Sequence, residues 1–192
     1  MTARILISLA LLVASLSIGD DITVPRGRTV MIDGKISGDE WADAAHIDLN
    51  AGGRLFLKTD GQYVYFAVRL PSNRSGFVDL YLAPGDGNFY DLHSSAKLGQ
   101  RIFSGGAWPE WSTWWNNRGW VANVSRVESF DRKKFLDENV REFQIDRNYF
   151  TGREWKIMLE ISLAKGQDYV VTTFPSKADK MHSETWLSLE MK

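Results

Sequence analysis

The stretch Arg54–Leu70, RLFLKTDGQYVYFAVRL, decides the fold class of this chain. Its second half, from Tyr63 onward, alternates side chains with a period of two, which is typical of a strand with one face on a core. The dipeptide Asp60-Gly61 separates that half from Arg54–Thr59 and is a strong hairpin signal. The stretch therefore predicts two antiparallel strands joined by a tight turn.

The same period of two recurs along the chain, for example in Phe77–Leu82 and Trp155–Ser162, with glycine and proline between the apolar runs. We therefore predict an all-β fold, a β-sandwich or jelly roll of about nine to eleven mostly antiparallel strands with minor helical turns. Asp39–Ala45 predicts one or two helical turns, and Asp131–Val140 predicts a charged connector with one short helix.

Composition excludes several kinds of protein. The 192 residues are 44% hydrophobic, which suits one domain with a substantial core. A net charge of −1 gives no global basic field, so we expect no nucleic-acid partner. The chain has no cysteine, which excludes disulfides, thiolate nucleophiles and zinc sites with cysteine ligands.

The first residues have the pattern of an export signal. Arg4 precedes an apolar run, Ile5–Val13, which is too short to span a bilayer, and the small residues Ser17 and Gly19 follow. We predict a signal peptide over residues 1–19, cleaved after Ser17 or Gly19, and one secreted or periplasmic domain over residues 20–192. No later segment is long and apolar enough to predict a membrane span.

A family resemblance begins at Val30–Ala45, VMIDGKISGDEWADAA, where a strand ends at Ile-Asp-Gly and a turn delivers Asp-Glu-Trp. This segment resembles the opening of family 9 carbohydrate-binding modules and their DOMON-like relatives, and later strands follow in the family's order. The resemblance implies a non-catalytic β-sandwich that binds carbohydrate and assists polysaccharide or oligosaccharide degradation. It also implies ligand-binding roles for Asp79 and for Asp91 with the neighbouring Tyr90.

The family's two sugar-sandwiching tryptophans have no match here, since Pro71–Gly76 lacks an aromatic residue and Phe174–Glu184 lacks a tryptophan. Five tryptophans instead crowd the window Gly105–Trp120, GGAWPEWSTWWNNRGW. Flat rings pack on the C–H faces of sugars, and nearby polar groups bind the hydroxyls. The alternation of Trp120 with Ala122 favours the core for that ring. The candidate ligand-binding residues of the window are Trp108, Trp111, Trp114, Trp115 and Arg118.

Catalytic motifs are not recognisable in the sequence. The three histidines lie far apart along the chain, and neither a Gly-x-Ser-x-Gly elbow nor a phosphate-binding glycine loop is present. We therefore predict that the protein is not an enzyme and needs no cofactor. A weaker calcium hypothesis rests on the oxygen ligands of Asp86, Asn88 and Asp91, which lie close together in the sequence.

Two alternative functions remain open at this stage. Related sandwiches hold b-type haem through a methionine and a histidine or lysine, for which Met158, Met181 and His182 are the candidates. The other alternative is a structural or envelope-interaction domain that exposes its aromatic residues to a partner protein and binds no small ligand. Burial of the tryptophan cluster would favour that last reading.

Overall fold

The computed structural model describes residues 21–36, 39–50, 52–71, 75–113, 118–124, 126–127, 135–136, 139–152 and 154–192. Within these ranges the chain forms fifteen strands and one three-residue 3-10 helix, Ser183–Thr185. The strands are Ile22–Val24 (β1), Ala45–Asp48 (β2), Arg54–Thr59 (β3), Tyr63–Arg69 (β4), Gly76–Ala83 (β5), Tyr90–Ser94 (β6), Leu98–Ile102 (β7), Ser112–Thr113 (β8), Trp120–Ala122 (β9), Arg126–Val127 (β10), Phe135–Leu136 (β11), Val140–Asp146 (β12), Trp155–Lys165 (β13), Asp168–Phe174 (β14) and Leu187–Met191 (β15).

Most strands belong to two sheets. The larger sheet has eight strands in the order β1-β15-β13-β5-β6-β7-β8, and β14 pairs with the part of β13 that β15 leaves free. The smaller sheet has five strands in the order β2-β3-β4-β12-β9. Pairing is antiparallel throughout both sheets except between β1 and β15. The predicted all-β sandwich is confirmed, as is the hairpin of β3 and β4 around Asp60-Gly61.

One apolar cluster joins the inward faces of the two sheets. It takes Leu80 and Leu82 from β5 and Phe66 from β4, and it includes Trp120 and Trp155, each 1% exposed. The predicted core position of Trp120 is confirmed. Because strand residues alternate between faces, the residues between these core positions point to the outside of each sheet.

The outer face of the five-stranded sheet is covered by the N-terminal residues 28–36 and 39–44, which we call the cover segment. Trp41 of this segment packs on Tyr65 and Ala67 of β4 and is 4% exposed. Its indole Nε1 donates to the buried carboxylate of Glu142 on β12 at 3.1 Å. Trp41 is therefore a buried plug on this face of the sheet, and residues 39–43 form turns instead of a regular helix.

Glu142 is the anchor of this cover. Its second carboxylate oxygen accepts the backbone N–H groups of Asp33 at 3.0 Å and Gly34 at 2.7 Å. The fully buried Lys58 of β3 donates to the backbone carbonyl of Glu40 and to Asp43, whose Oδ1 lies 2.7 Å from Nζ. The Ile-Asp-Gly and Asp-Glu-Trp pieces of the sequence are therefore held on the sheet by two buried charges.

Two sequence predictions need correction. The strand count exceeds nine to eleven because β1, β8, β9, β10 and β11 have only two or three residues, too few to show a period of two. The short helix predicted over Asp131–Val140 is wrong at its C-terminal half, where Phe135–Leu136 pairs with Arg126–Val127 and Val140 begins β12. Six of its residues, 131–134, 137 and 138, lie outside the described ranges.

The predicted signal peptide, residues 1–19, also lies outside the described residues. Among the residues that are described, no helix is long and apolar enough to cross a membrane.

Candidate functional site

The outer face of the eight-stranded sheet carries a cluster of polar and aromatic side chains on three neighbouring strands. The register places Asp79 of β5 beside His93 of β6, and His93 beside Gly99 of β7. One step along the strands, Tyr81, Asp91 and Arg101 form a second row in the same order. Since Leu80 and Leu92 between these positions lie in the core, both rows face outward. We call this the outer-face cluster.

Arg101 and Asp91 form the ion pair at the centre of the cluster. The Nε of Arg101 donates to Asp91 Oδ2 at 2.7 Å, and the Asp91 side chain is fully buried. The guanidinium lies between two indole rings, with its Cζ 4.2 Å from the ring centroid of Trp111 and 5.3 Å from that of Trp108. Stacking on two aromatic faces suits the planar, delocalised charge of arginine and fixes the orientation of both rings.

Trp111 is the most exposed ring of the cluster, at 41%. It lies over Gly99, where an added Cβ would stand only 3.1 Å from Trp111 Cε3. Its ring centroid is 5.2 Å from that of His93. The absence of a side chain at Gly99 therefore lets the indole settle on the sheet, between His93 and Arg101, with part of the ring open to solvent.

Three buried polar atoms of the cluster have no hydrogen-bond partner among the described residues: the hydroxyl of Tyr81, Oδ1 of Asp91 and Nε1 of Trp108. The Tyr81 and Trp108 rings are in edge contact, with centroids 5.4 Å apart. Burial, together with the nearby charge of Asp79, raises the pKa of Asp91 to about 7. Buried polar groups are normally satisfied, so these atoms mark a place where a further donor or acceptor is expected.

His93 links two oxygen-bearing side chains. Its Nδ1 lies 2.5 Å from Asp79 Oδ1, and its Nε2 lies 2.8 Å from the hydroxyl oxygen of Ser95 in the turn after β6. The Asp79 side chain is 7% exposed and that of His93 is 21% exposed. Both ring nitrogens are thus engaged, and the imidazole is held in one orientation.

Aromatic rings close one end of the cluster. Trp186, from the segment before β15, packs on Tyr81 with centroids 6.0 Å apart and on Phe89 at 5.4 Å. Phe103 connects Phe89 with Trp108. These contacts support Trp108 and Tyr81 from the side, so the polar rows are bounded by apolar surface at this end.

The structure brings together four of the predicted ligand-binding residues: Trp108, Trp111, Asp79 and Asp91. Tyr90 points the other way, into the core, where its ring packs on Phe150 and its hydroxyl donates to Asp86 at 3.1 Å.

Arg118, a further predicted residue, is exposed in the turn before β9, a strand of the five-stranded sheet. Trp114 and Trp115 lie outside the described residues.

Sequence reasoning missed Tyr81, His93, Ser95 and Arg101. The register is the missing signal, because it aligns β5, β6 and β7 so that every second residue of each strand meets the others. His93 and Ser95 are two residues apart, a spacing that places both on one face of a strand. Without the strand pairing, however, nothing in the sequence brings Asp79 to them.

The carboxylates of the calcium hypothesis have different partners. Asp86 Oδ1 accepts the backbone N–H of Asn88 at 2.9 Å, and its Oδ2 accepts the hydroxyl of Tyr90 on the core side. Asp91 instead pairs with Arg101 on the outer face. Within the described ranges, no three acidic or histidine side chains are grouped closely enough to hold a metal ion.

The candidate haem ligands differ in their exposure to solvent. Met158 is 1% exposed and packs with Tyr81, Ala83 and Trp186 on the outer side of the large sheet. Met181 is 37% exposed, and the exposed His182 pairs with Glu184.

The comparison with known proteins shows a similarity of fold to a solved structure. No family model matches this chain, and no curated protein matches it. Among solved structures, the chain is similar to a "putative carbohydrate-binding protein" from Bacteroides uniformis, with a TM-score of 0.58 and 9% sequence identity. The match covers 90% of this chain and 99% of that one. At this identity the likeness shows a shared fold and nothing about shared residues.

Proposed function

We propose that the protein binds carbohydrate through the outer-face cluster. The observation that carries this proposal is the Trp111 ring, which is held partly open to solvent over Gly99 and is flanked by polar side chains. A sugar ring has an apolar C–H face and a rim of hydroxyls. It therefore needs a flat aromatic surface and fixed donors and acceptors at once.

The polar groups of the cluster suit hydroxyl recognition. Asp79 and Asp91 are acceptors, and each is already held by a partner on an adjacent strand. Side chains that are locked before binding lose little rotamer entropy when the ligand arrives, which favours affinity. A hydroxyl group both donates and accepts, so it suits the partly exposed side chains of His93 and Arg101 that border the Trp111 ring.

Two comparisons support the proposal. The similar fold from Bacteroides uniformis carries a carbohydrate-binding name. The resemblance of the sequence to family 9 carbohydrate-binding modules implies a ligand-binding role for Asp79, and Asp79 lies in the outer-face cluster. A distant relationship to that family is part of our proposal, as is an accessory role in polysaccharide or oligosaccharide degradation.

Export is a further part of the proposal and rests on the sequence of residues 1–19. Expression of the full chain in a bacterium with a periplasm, followed by fractionation and N-terminal sequencing, tests it. We expect a processed protein outside the cytoplasm that begins at residue 18 or residue 20. An unprocessed cytoplasmic protein would contradict export and leave the binding proposal untouched.

Binding is tested by titrating the purified protein with neutral hexose and pentose oligosaccharides while following tryptophan fluorescence. We expect saturable quenching or a spectral shift with at least one sugar. Trp111→Ala should weaken binding at least tenfold. Tyr149→Ala is the matched control, since Tyr149 is an aromatic residue 52% exposed beside the small sheet, and its binding should be unchanged. No response to any sugar, or equal loss in both variants, would refute the proposal.

A further inference from the structure

Ser95, His93 and Asp79 have the relative geometry of an activated hydroxyl. The hydroxyl oxygen of Ser95 lies 2.8 Å from Nε2 of His93, and the opposite ring nitrogen, Nδ1, lies 2.5 Å from Asp79 Oδ1. A nucleophile in hydrogen-bond contact with a base, and a base oriented by a third group, is the arrangement that recurs in hydrolases of unrelated folds.

The chemistry of the three groups fixes the direction of each hydrogen bond. The Asp79 carboxylate only accepts, so Nδ1 of His93 carries the proton that bonds to it. In the neutral ring, Nε2 then has the free lone pair and can accept the hydroxyl proton of Ser95, whose oxygen lies 2.8 Å from Nε2 and 3.4 Å from the competing carbonyl oxygen of Lys97. This is the tautomer in which a histidine acts as general base toward a serine.

The position of the group on the sheet leaves the hydroxyl accessible. Ser95 follows β6 in a surface turn and is only partly buried, while Asp79, the orienting group, is 5% exposed. Phe77 and Trp111 flank the imidazole, with ring centroids each 5.2 Å from that of His93. Apolar side chains around a buried carboxylate strengthen its hydrogen bond to the imidazole, because less water competes for that hydrogen bond.

We propose that Ser95, His93 and Asp79 form a second functional site that hydrolyses acyl esters, with Ser95 as nucleophile, His93 as general base and acid, and Asp79 as positioning residue. This activity goes beyond carbohydrate binding. An ester carried by a sugar that lies against Trp111 is the substrate this neighbourhood favours, and that choice of substrate rests on the proposed function. It also departs from the prediction of a non-enzyme, which was based on the absence of sequence motifs.

The reaction proceeds in two balanced steps. Ser95 Oγ attacks the ester carbonyl carbon as its proton passes to His93 Nε2, and the bond to the leaving alcohol breaks as that proton passes on to the alcohol oxygen. The product is an acyl ester on Ser95. A water molecule then gives a proton to Nε2 and attacks this ester. The carboxylic acid leaves, and Ser95 regains its proton.

The expected rate decides which measurement to use. Each donor that stabilises the oxyanion of such a reaction contributes about 100-fold to 1,000-fold in rate. Near Ser95 the contacts of the described residues include one backbone donor, the N–H of Lys97, which is 3.3 Å from the hydroxyl itself. We therefore expect slow turnover, and covalent labelling of the nucleophile is the more sensitive readout.

The test exposes the purified protein to a fluorophosphonate, which reacts with activated serines and needs no sugar, and locates the adduct by peptide mass spectrometry. We expect one adduct, on Ser95, and slow hydrolysis of p-nitrophenyl acetate. Ser95→Ala should abolish both. His93→Ala and Asp79→Asn should slow labelling of Ser95 by about 100-fold or more, since they remove the base or reverse its tautomer.

His182→Ala is the matched control. His182 forms a second histidine–carboxylate pair, with Nδ1 3.0 Å from Glu184 Oε1, and its loss should leave labelling unchanged. Near-ultraviolet circular dichroism checks that every variant is folded. No adduct on Ser95 in the wild-type protein, or equal labelling in Asp79→Asn, would overturn the proposal. Because the probes carry no sugar, these outcomes are separate from those of the binding test.

Discussion

The two sheets have outer faces that use the same kinds of residue in opposite ways. On the five-stranded sheet, a glutamate and a lysine are buried beneath the cover segment and its Trp41, and the carboxylate of Glu142 accepts three N–H groups of that segment. On the eight-stranded sheet, tryptophans, an aspartate and an arginine lie together, but Tyr81, Asp91 and Trp108 each have a buried polar atom that lacks a hydrogen-bond partner among the described residues.

This difference distinguishes buried polar groups that stabilise the fold from those that we expect to affect ligand binding. A charge whose hydrogen bonds are all supplied by its own chain holds that chain in place, and its removal is expected to cost stability. Other polar atoms lie beside an exposed aromatic ring and lack part of their hydrogen bonds. Substitution of the residues that carry these atoms is expected to cost little stability and to affect ligand binding. The following predictions test this distinction on matched residue types.

The largest expected effect comes from the two tryptophans. Trp41→Ala should lower the free energy of unfolding by about 4 kcal/mol, since it leaves a large cavity and removes the donor to Glu142. Trp111→Ala should lower it by about 1 kcal/mol or less, because the ring is already partly exposed and loses mainly its stacking on Arg101. Urea denaturation followed by circular dichroism measures both. Equal losses of stability in the two variants would contradict the proposed difference between the outer faces of the two sheets.

The buried carboxylates offer a second comparison. Glu142→Gln should cost about 2 kcal/mol, because one of two accepting oxygens becomes an NH2 group that faces N–H donors. Asp91→Asn should cost less than about 1 kcal/mol, because its oxygen can still accept from Arg101 while the NH2 occupies the place of Oδ1, which no described residue contacts by a hydrogen bond. The same denaturation assay applies. A larger loss for Asp91→Asn than for Glu142→Gln would contradict it.

The sequence was sufficient to predict the architecture because periodicity and turn chemistry are local. Asp60-Gly61 and the alternation of Tyr63–Arg69 predict the β3–β4 hairpin without knowledge of the rest of the chain. The burial of Trp120 and Trp155 follows from the same alternation. Strands of two residues could not be predicted, since two residues are too few to show a period of two.

The candidate site was only half predictable for a related reason. Trp108 and Trp111 stand out by composition, and Asp79 and Asp91 stand out through the family resemblance. The roles of Arg101 and His93 depend on register across three strands, which no local pattern specifies. Tyr90 and Asp91 are neighbours in sequence and face opposite sides of the sheet, so proximity along the chain was misleading for Tyr90.

The titration of Asp91 predicts how the stability of the wild-type protein, compared with that of Asp91→Asn, depends on pH. Its pKa is about 7 in the folded protein, above the usual 3.8, because of burial and the charge of Asp79. The folded state therefore binds this proton more tightly, and the stability that results is present below about pH 4 and is lost as the pH rises through 7. Relative to Asp91→Asn, the wild-type protein should lose stability between pH 4 and pH 8. A difference in stability that is constant across this range would refute the assignment.

The smallest expected effect concerns Gly99, the residue over which the exposed Trp111 ring lies. Gly99→Ala places a methyl group about 3.1 Å from Trp111 Cε3, so the indole must move by a few tenths of an ångström. Stability should change by less than about 0.5 kcal/mol, because the buried methyl group meets only the side chains of Trp111 and His93 and because alanine restricts the unfolded chain. Sugar affinity should fall about threefold in a fluorescence or calorimetric titration. The effect should vanish when Trp111 is already alanine, because the methyl group then displaces nothing. If Gly99→Ala weakened binding equally in both backgrounds, Gly99 would affect the ligand directly, and the idea that this glycine exists to seat the tryptophan would be wrong.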